Sequence, residues 1–455
     1  MVLSIFFLSS PFQRFLAFFL SGMSFEGVLL LLAHRGPNHM PELNQRIEGL
    51  PRSGIDLVLR LSKMPDILKL SIGSPSFETP EFVKDAALAA IREGKTHYSP
   101  DEGLLDLREA ILAKCEEYNH FSFDVEKEIV VTSGTSPAIY NTFQCLLEEN
   151  EEIVIPTPAY FGYSRMVQIL GGTPVQVPSS SEANFQPDPE DIKNAVTGST
   201  RAIVVHTPSN PSGAVWSAKN LQAIGEIAED NDLYIIADEV YERLVYRGAK
   251  HVSIASLSDF KDRTITLCGL SKSHAMAGFR IGWIIGPERF MNCYKRIHEQ
   301  TAICAPTLSQ HAAVAALSSP EVSLEYMLTE YQKRADLLID AFEKDIPYLE
   351  PVKTNGSLFM LISIRELVDQ KMDEMTHHID QDEEIKKLLK DDELSALTNG
   401  SSPSETAMAY ILSKTGVLMM AGHYFGLEGD NYLRVSFAPE HETIVHAIER
   451  LKNRF

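Results

Sequence analysis

Lys272 stands in the run Leu270-Ser271-Lys272-Ser273-His274, just after the apolar stretch Thr264 to Cys268, and Arg280 follows eight residues later. A lysine at the end of a strand-like run, among small residues, suits imine chemistry. An amine that attacks a carbonyl must be partly desolvated or set beside other cations, so that some of it is neutral. The planar fork of Arg280 suits a phosphate ester next to that imine. Asp238 ends a second apolar run, Leu233 to Ala237. Asn210 follows a third run, Arg201 to Val205, and the turn Ser133-Gly134-Thr135 follows a fourth. Ser136 is expected to cap the helix that starts there, with Pro137 in its first turn. A glycine turn leading into a helix offers backbone amides to an anion.

These groups share one kind of place. In open α/β sheets, ligands bind outside the carboxyl ends of the strands. From about Val83 to Ser319, strand-like runs alternate with helical patterns, the mark of βαβ units and a mostly parallel sheet. The runs are Glu128 to Thr132, Glu152 to Pro156, Pro174 to Val177, Arg201 to Val205, Leu233 to Ala237, Thr264 to Cys268 and Ile281 to Ile285. A long helix is predicted from about Val322 to Lys344, leading to a second α+β region that ends near Leu451. Between Ile364 and Ala407 lies an acidic insertion that closes on the turn-like run Thr398 to Pro403. His377 and His378 within it are adjacent and so point about 100° apart on a helix. Charge runs usually form a solvated face, so no metal site is expected.

Length and charge narrow the function. A chain of 455 residues exceeds a single core and suggests two domains. A net charge of -21 excludes a basic nucleic-acid footprint. The five cysteines form no CxxC pair, which points to reduced thiols in a cytoplasmic protein. Met1 to His34 holds three apolar clusters interrupted by Arg14 and Glu26. None reaches the roughly 18–20 apolar residues that span a bilayer, and no basic region precedes the first, so a membrane span and a secretory signal both fit poorly. The expectation is an over-extended start, with Met23 or Met40 as the initiator and no membrane contact; the alternative is a loose membrane-surface anchor.

The order and spacing of the motifs resemble those of pyridoxal-phosphate-dependent aminotransferases of class I/II, fold type I, from about Ile55 to Arg450. The resemblance is carried by Leu70-Ser71-Ile72-Gly73-Ser74-Pro75, by His97-Tyr98-Ser99-Pro100, by the glycine turn and the Asn210-Pro211 loop. Asp238-Glu239-Val240-Tyr241, the lysine run and Tyr432-Leu433-Arg434-Val435 complete it. It implies an α/β fold with a mostly parallel central sheet flanked by helices and a smaller α+β domain. It divides the chain into the extension (1–37), an arm belonging to the small domain (38–82), a large cofactor-binding domain (83–321) and a small C-terminal domain (322–455) with the insertion near 365–406.

The resemblance also assigns roles. Lys272 would hold pyridoxal 5′-phosphate as an imine and then move a proton at the substrate α-carbon. Asp238 would pair with the ring nitrogen, Tyr241 and Asn210 with the ring hydroxyl, and Tyr160 would stack on the ring. Ser133, Gly134, Thr135, Ser271 and Arg280 would take the phosphate, joined by Tyr98 from the second subunit of a homodimer. Arg434 would grip the substrate α-carboxylate, helped by the Gly73 backbone and Asn210, and His423 and Tyr424 would line the side-chain pocket. Two departures stand out: Gly269 where many relatives carry serine, and Ser136 where some acid-preferring relatives carry lysine. The expected activity is amino-group transfer from an L-amino acid to a 2-oxo acid. The alternative is a lyase on the same scaffold, such as a carbon–sulfur lyase. A DNA-binding regulator of this fold is disfavoured, because Met1 to Arg35 is short and poor in basic residues.

Overall fold

The apolar runs become strands almost where their residue pattern puts them. The protein is described by a computed structural model over residues 42–50, 54–257, 259–318 and 322–455; the N-terminal extension lies outside the described residues. Contacts separate the residues up to Leu50 from Pro51–Phe455. Of the first unit, the short helix Gln45–Glu48 is described, capped by the Asn44 side chain. Every strand among the described residues lies in the second unit.

After β1 (Leu68–Lys69) come β2 (Ile129–Thr132), β3 (Glu152–Thr157), β4 (Thr173–Pro178), β5 (Thr200–His206), β6 (Tyr234–Asp238), β7 (Thr264–Gly269) and β8 (Gly282–Ile285). The last seven form one sheet in the order β2-β8-β7-β6-β5-β3-β4. Its pairs are parallel except the two made by β8. Both faces are covered, as continuous β-branched runs require, and alternate residues serve opposite faces. Ile236 and Leu267 pack with Phe143, Tyr163 and Tyr294 on one face. Ile235 and Ala237 pack with Trp216 and Phe260 on the other, where Cys268 meets Ile111, Cys115 and Trp283 farther along. Asp238 has the parity of Ile236, which aims it at the Tyr163 side.

The helix Val322–Lys344 has the bounds expected for it. It leads to β9 (Glu350–Pro351), β10 (Phe359–Ser363), β11 (Val417–Leu418), β12 (Met420–Ala421) and β13 (Tyr432–Ser436). Four of these make an antiparallel sheet, β12-β13-β10-β9, while β11 pairs in parallel with β1. That pairing, with Ser436 N donating to Leu70 O at 2.7 Å, ties the arm to the C-terminal sheet and brings Gly73 toward Arg434. The acidic insertion folds into the helices Arg365–Gln381, Glu383–Lys386 and Asp391–Thr398. It buries Met375, Ile379, Ile385 and Leu397 and leaves most of its carboxylates in solvent. Arg60 on the helix Gly54–Leu61 bonds the Leu388 carbonyl at 3.0 Å and pairs with Glu393.

Candidate active site

A cavity of about 390 Å³ lies where β5, β6 and β7 end, closed by the loop through Gly73 and by β10 and β13. Such a volume suits a small organic ligand. Gly73, Thr135, Tyr160, Asn210 and Asp238 line it, with Tyr241, Ser271, Lys272, Arg280 and Arg434. These residues come from positions far apart in the chain, and β-strand ends bring them to one place.

Lys272 Nζ donates to the Gly73 carbonyl at 2.9 Å. Burial first, then the nearby charges of Arg434 and Arg280, push its pKa down to about 8. Part of the amine is therefore neutral and nucleophilic near physiological pH. The Gly73 carbonyl can come this close because the residue has no side chain: a Cβ there would lie 2.1 Å from a Phe359 ring carbon.

Asp238 is buried at the end of β6, and burial raises its pKa. Its Oδ2 accepts from the Tyr163 hydroxyl at 2.6 Å and its Oδ1 from the Val240 amide at 3.2 Å. Both donors are neutral, so a protonated heterocycle nitrogen in the cavity would give this carboxylate a cationic partner. Burial likewise raises the Tyr241 phenol, which stays a neutral hydrogen-bond donor.

Arg434, on β13, is 5% exposed. Nη2 donates to Ser71 O at 2.6 Å and Nη1 to Asn210 Oδ1 at 2.9 Å, and the guanidinium lies 4.1 Å from the Phe359 ring centre and 4.8 Å from that of Phe425. Burial lowers its pKa to about 10. Its Nε is buried without a protein partner, which leaves a donor for an acceptor that a ligand carries in. A carboxylate fits that role. Asn210 thus contacts Arg434 directly, at the place where it was expected to help with the α-carboxylate.

At the far end, Arg280 Nη2 reaches Ser133 O at 3.4 Å and Nη1 the Ala277 carbonyl at 2.9 Å. The helix Thr135–Leu146 starts here, with Gly134 as its N-cap and no side-chain cap. The expectation that Ser136 caps it is corrected. Gly134 takes a backbone conformation, φ 92° and ψ 172°, that starts the helix two residues earlier, so Ser136 lies inside the first turn and faces the cavity beside Tyr160. Ser133 and Gly134 are not among the residues that line the cavity.

Tyr98, expected in the site of the second subunit, is 79% exposed and outside the cavity of its own chain. Two further expectations meet a different geometry at the cavity. His423 and Tyr424 do not line it: His423 Nδ1 lies 3.2 Å from Ser402 Oγ, and the Tyr424 hydroxyl donates to Glu405. Both sit in the 3₁₀ turn Gly422–Phe425, which is held by polar residues at the end of the insertion. His378 bonds Ser413 Oγ at 2.9 Å. Among the described residues, Glu239, Glu242 and His251 form a group with metal-ligand spacing, and the Lys114 ammonium already sits on Glu242.

Sequence reading missed Tyr163, Phe359 and His206. Tyr163 had a signal, since it lies one helical turn after Tyr160. His206 ends β5 with Nε2 2.9 Å from the Pro156 carbonyl, and burial pushes its pKa down to about 4, which keeps it neutral.

Comparison with known proteins supports the same reading. The pattern that defines the family described as Aminotransferase class I and II matches residues 65–451. Aromatic-amino-acid aminotransferase 2 of Thermococcus litoralis is 33% identical over 414 residues, 90% of this chain and 97% of that protein. Aspartate aminotransferase of Bacillus subtilis is 35% identical over 352 residues, 76% of this chain and 88% of that protein. The solved aspartate aminotransferase from Rhizobium meliloti has a TM-score of 0.80 at 27% identity, covering 91% of this chain and 99% of its own. On that span and identity, the chain belongs to the class I and II aminotransferases of fold type I and is an aminotransferase enzyme.

Proposed function

We propose that the cavity holds pyridoxal 5′-phosphate on Lys272, and that the enzyme exchanges the amino group of an L-amino acid with a 2-oxo acid as a cytoplasmic homodimer. The observation that carries this reading is the buried, partly neutral Lys272 amine in one cavity with Asp238, Tyr241 and Arg434. When bound, the cofactor carries the amino group and draws negative charge from the substrate α-carbon. Lys272 attaches it and afterwards carries a proton at Nζ. Asp238 holds a proton on the ring nitrogen, and Tyr241 and Asn210 bond the ring hydroxyl. Tyr160 faces the ring. Arg280, Ser271, Thr135 and the amides around Ser133 and Gly134 receive the phosphate. Arg434 takes the α-carboxylate. In this reading residues 83–321 form the cofactor-binding domain, and 322–455 with the arm 38–82 form the smaller one.

Support for the homodimer is Tyr98, which is exposed and lies outside its own cavity, as a residue serving a second subunit would. The cytoplasmic assignment rests on the free state of all five cysteines. Among the described residues no helix is long and apolar enough to cross a membrane. Ile72, Ile139 and Phe161 on the cavity wall, with Ser136 in place of a lysine, favour apolar or aromatic donors over a dedicated aspartate enzyme.

The test is a screen of amino donors against the cofactor-loaded protein, read by loss of its visible absorbance. One donor without acceptor should convert a single equivalent and stop. Continued turnover with release of ammonia would establish the lyase instead.

A further inference from the structure

Asp238 and Tyr241 belong to the end of β6 and the turn after it, and that turn rests on a buried charged cluster that does not line the cavity. The helix Leu105–Lys114 runs into a π-helical turn, Cys115–Asn119, closed by His120 in the left-handed region at φ 61°. Such turns are uncommon and recur at functional positions. This one aims two side chains at Glu242. The Tyr118 hydroxyl donates to the Glu242 carbonyl at 2.8 Å, and Asn119 Nδ2 donates to Glu242 Oε2 at 2.7 Å. Lys114 Nζ pairs with Glu242 Oε1 and donates to Asn119 Oδ1 at 2.7 Å.

The side chains of Lys114 and Glu242 are 11% and 4% exposed. Burial opposes both charges, yet the pair outweighs it, raising the pKa of Lys114 and lowering that of Glu242. A buried ion pair is a poor source of stability, because desolvation offsets most of its attraction. Fixing one conformation is the better-supported use. Here the object fixed is clear. Glu242 follows Tyr241 directly, and the turn is closed by Glu242 N to Glu239 O at 2.9 Å and Leu244 N to Tyr241 O at 2.8 Å. Cys268 adds Sγ contacts to Glu242 Oε1 at 3.3 Å and to the Glu239 carbonyl at 3.5 Å.

We propose that Lys114, Tyr118 and Asn119 are positioning residues: by gripping Glu242 they set where the Tyr241 phenol stands in the cavity, and so tune the cofactor held there. This rests on the reading of Tyr241 as a cofactor contact, and the experiment separates the two. The pH midpoint of the visible absorbance change is measured for the cofactor-loaded wild type, Tyr118→Phe, Glu242→Gln, Tyr241→Phe and the two doubles with Tyr241→Phe. Tyr118→Phe, the mildest change, removes one hydrogen bond and keeps the ion pair.

Tyr118→Phe and Glu242→Gln should each move the midpoint by roughly half to one pH unit, the scale of one hydrogen bond, and lower kcat with little change in donor KM. In the Tyr241→Phe background the same changes should add no shift, because the group being positioned is gone. An undiminished shift in that background overturns the proposal. So does an unmoved midpoint in Tyr118→Phe when Tyr241→Phe alone moves it, which would leave the cofactor reading standing. If Tyr241→Phe moves nothing, both fall.

Discussion

Lys272 is surrounded by features that work against its charge. Below about pH 8 most of its amine is protonated, and above that value most of it is neutral. Covalent attachment of pyridoxal phosphate to the cofactor-free protein should therefore speed up as pH rises, with a midpoint near 8. A solvated lysine would give about 10.4. Rapid-mixing absorbance across this range measures it, and a midpoint at the ordinary value would mean the amine is not buried as described. Asp238 makes the complementary case. Asp238→Asn keeps the shape and the Tyr163 contact but loses the charge that holds the ring proton. Removing one electrostatic stabiliser of a transition state costs about 10²–10³ in turnover, whereas donor binding should change little. Arg434→Ala should act the other way, raising KM for every donor that carries an α-carboxylate. Steady-state kinetics on both variants decides, and near-normal kcat in Asp238→Asn would assign the ring proton to another group.

The glycine turn before the helix Thr135–Leu146 shows how an element limits its residues. The conformation of Gly134 lies in a region that other residues occupy only at a cost of about 1–3 kcal/mol. A Cβ there would also stand 2.5 Å from Arg280 Nη2. Gly134→Ala should push the guanidinium off the phosphate end and weaken cofactor affinity about tenfold or more, since each 1.4 kcal/mol is a factor of ten. Fluorescence titration with the cofactor measures this, and unchanged affinity would place the phosphate elsewhere. The turn was visible in the residues, but its cap was not. Ser136 has the chemistry of a cap, and only the backbone angles of Gly134 decided which residue begins the helix. The acidic stretch was legible as a solvated face. Its docking on the helix Gly54–Leu61 through Arg60 was not, because that contact joins residues more than three hundred positions apart.

At the level of the assembled enzyme, Tyr98 carries the sharpest expectation. If two chains share each site, the cofactor-loaded protein should sediment at twice 50.7 kDa. Tyr98→Ala should then lose cofactor on dialysis although the residue is outside its own cavity. Full retention by the variant would remove Tyr98 from the phosphate site.

The mostly parallel sheet and the long helix Val322–Lys344 were readable from spacing and periodicity, and Lys272, Asp238 and Asn210 from their places after strand-like runs, whereas Arg434 came from the family resemblance alone. Those signals are local: a buried strand writes a β-branched run, and a strand-end group sits one step beyond it. Other features depend on which distant segments meet. Tyr163 became a partner of Asp238 because both fall on one face of the sheet, and Phe359 and Phe425 enclose Arg434 because β10 pairs with β13 and the turn after β12 folds back. His423 and Tyr424 are held by Ser402, Ser404 and Glu405 at the end of the insertion rather than at the cavity. The Lys114–Glu242 pair behind Tyr241 forms across 128 positions of chain. No periodicity marks such encounters, because they arise only when desolvation leaves each buried charge or hydroxyl one partner within reach.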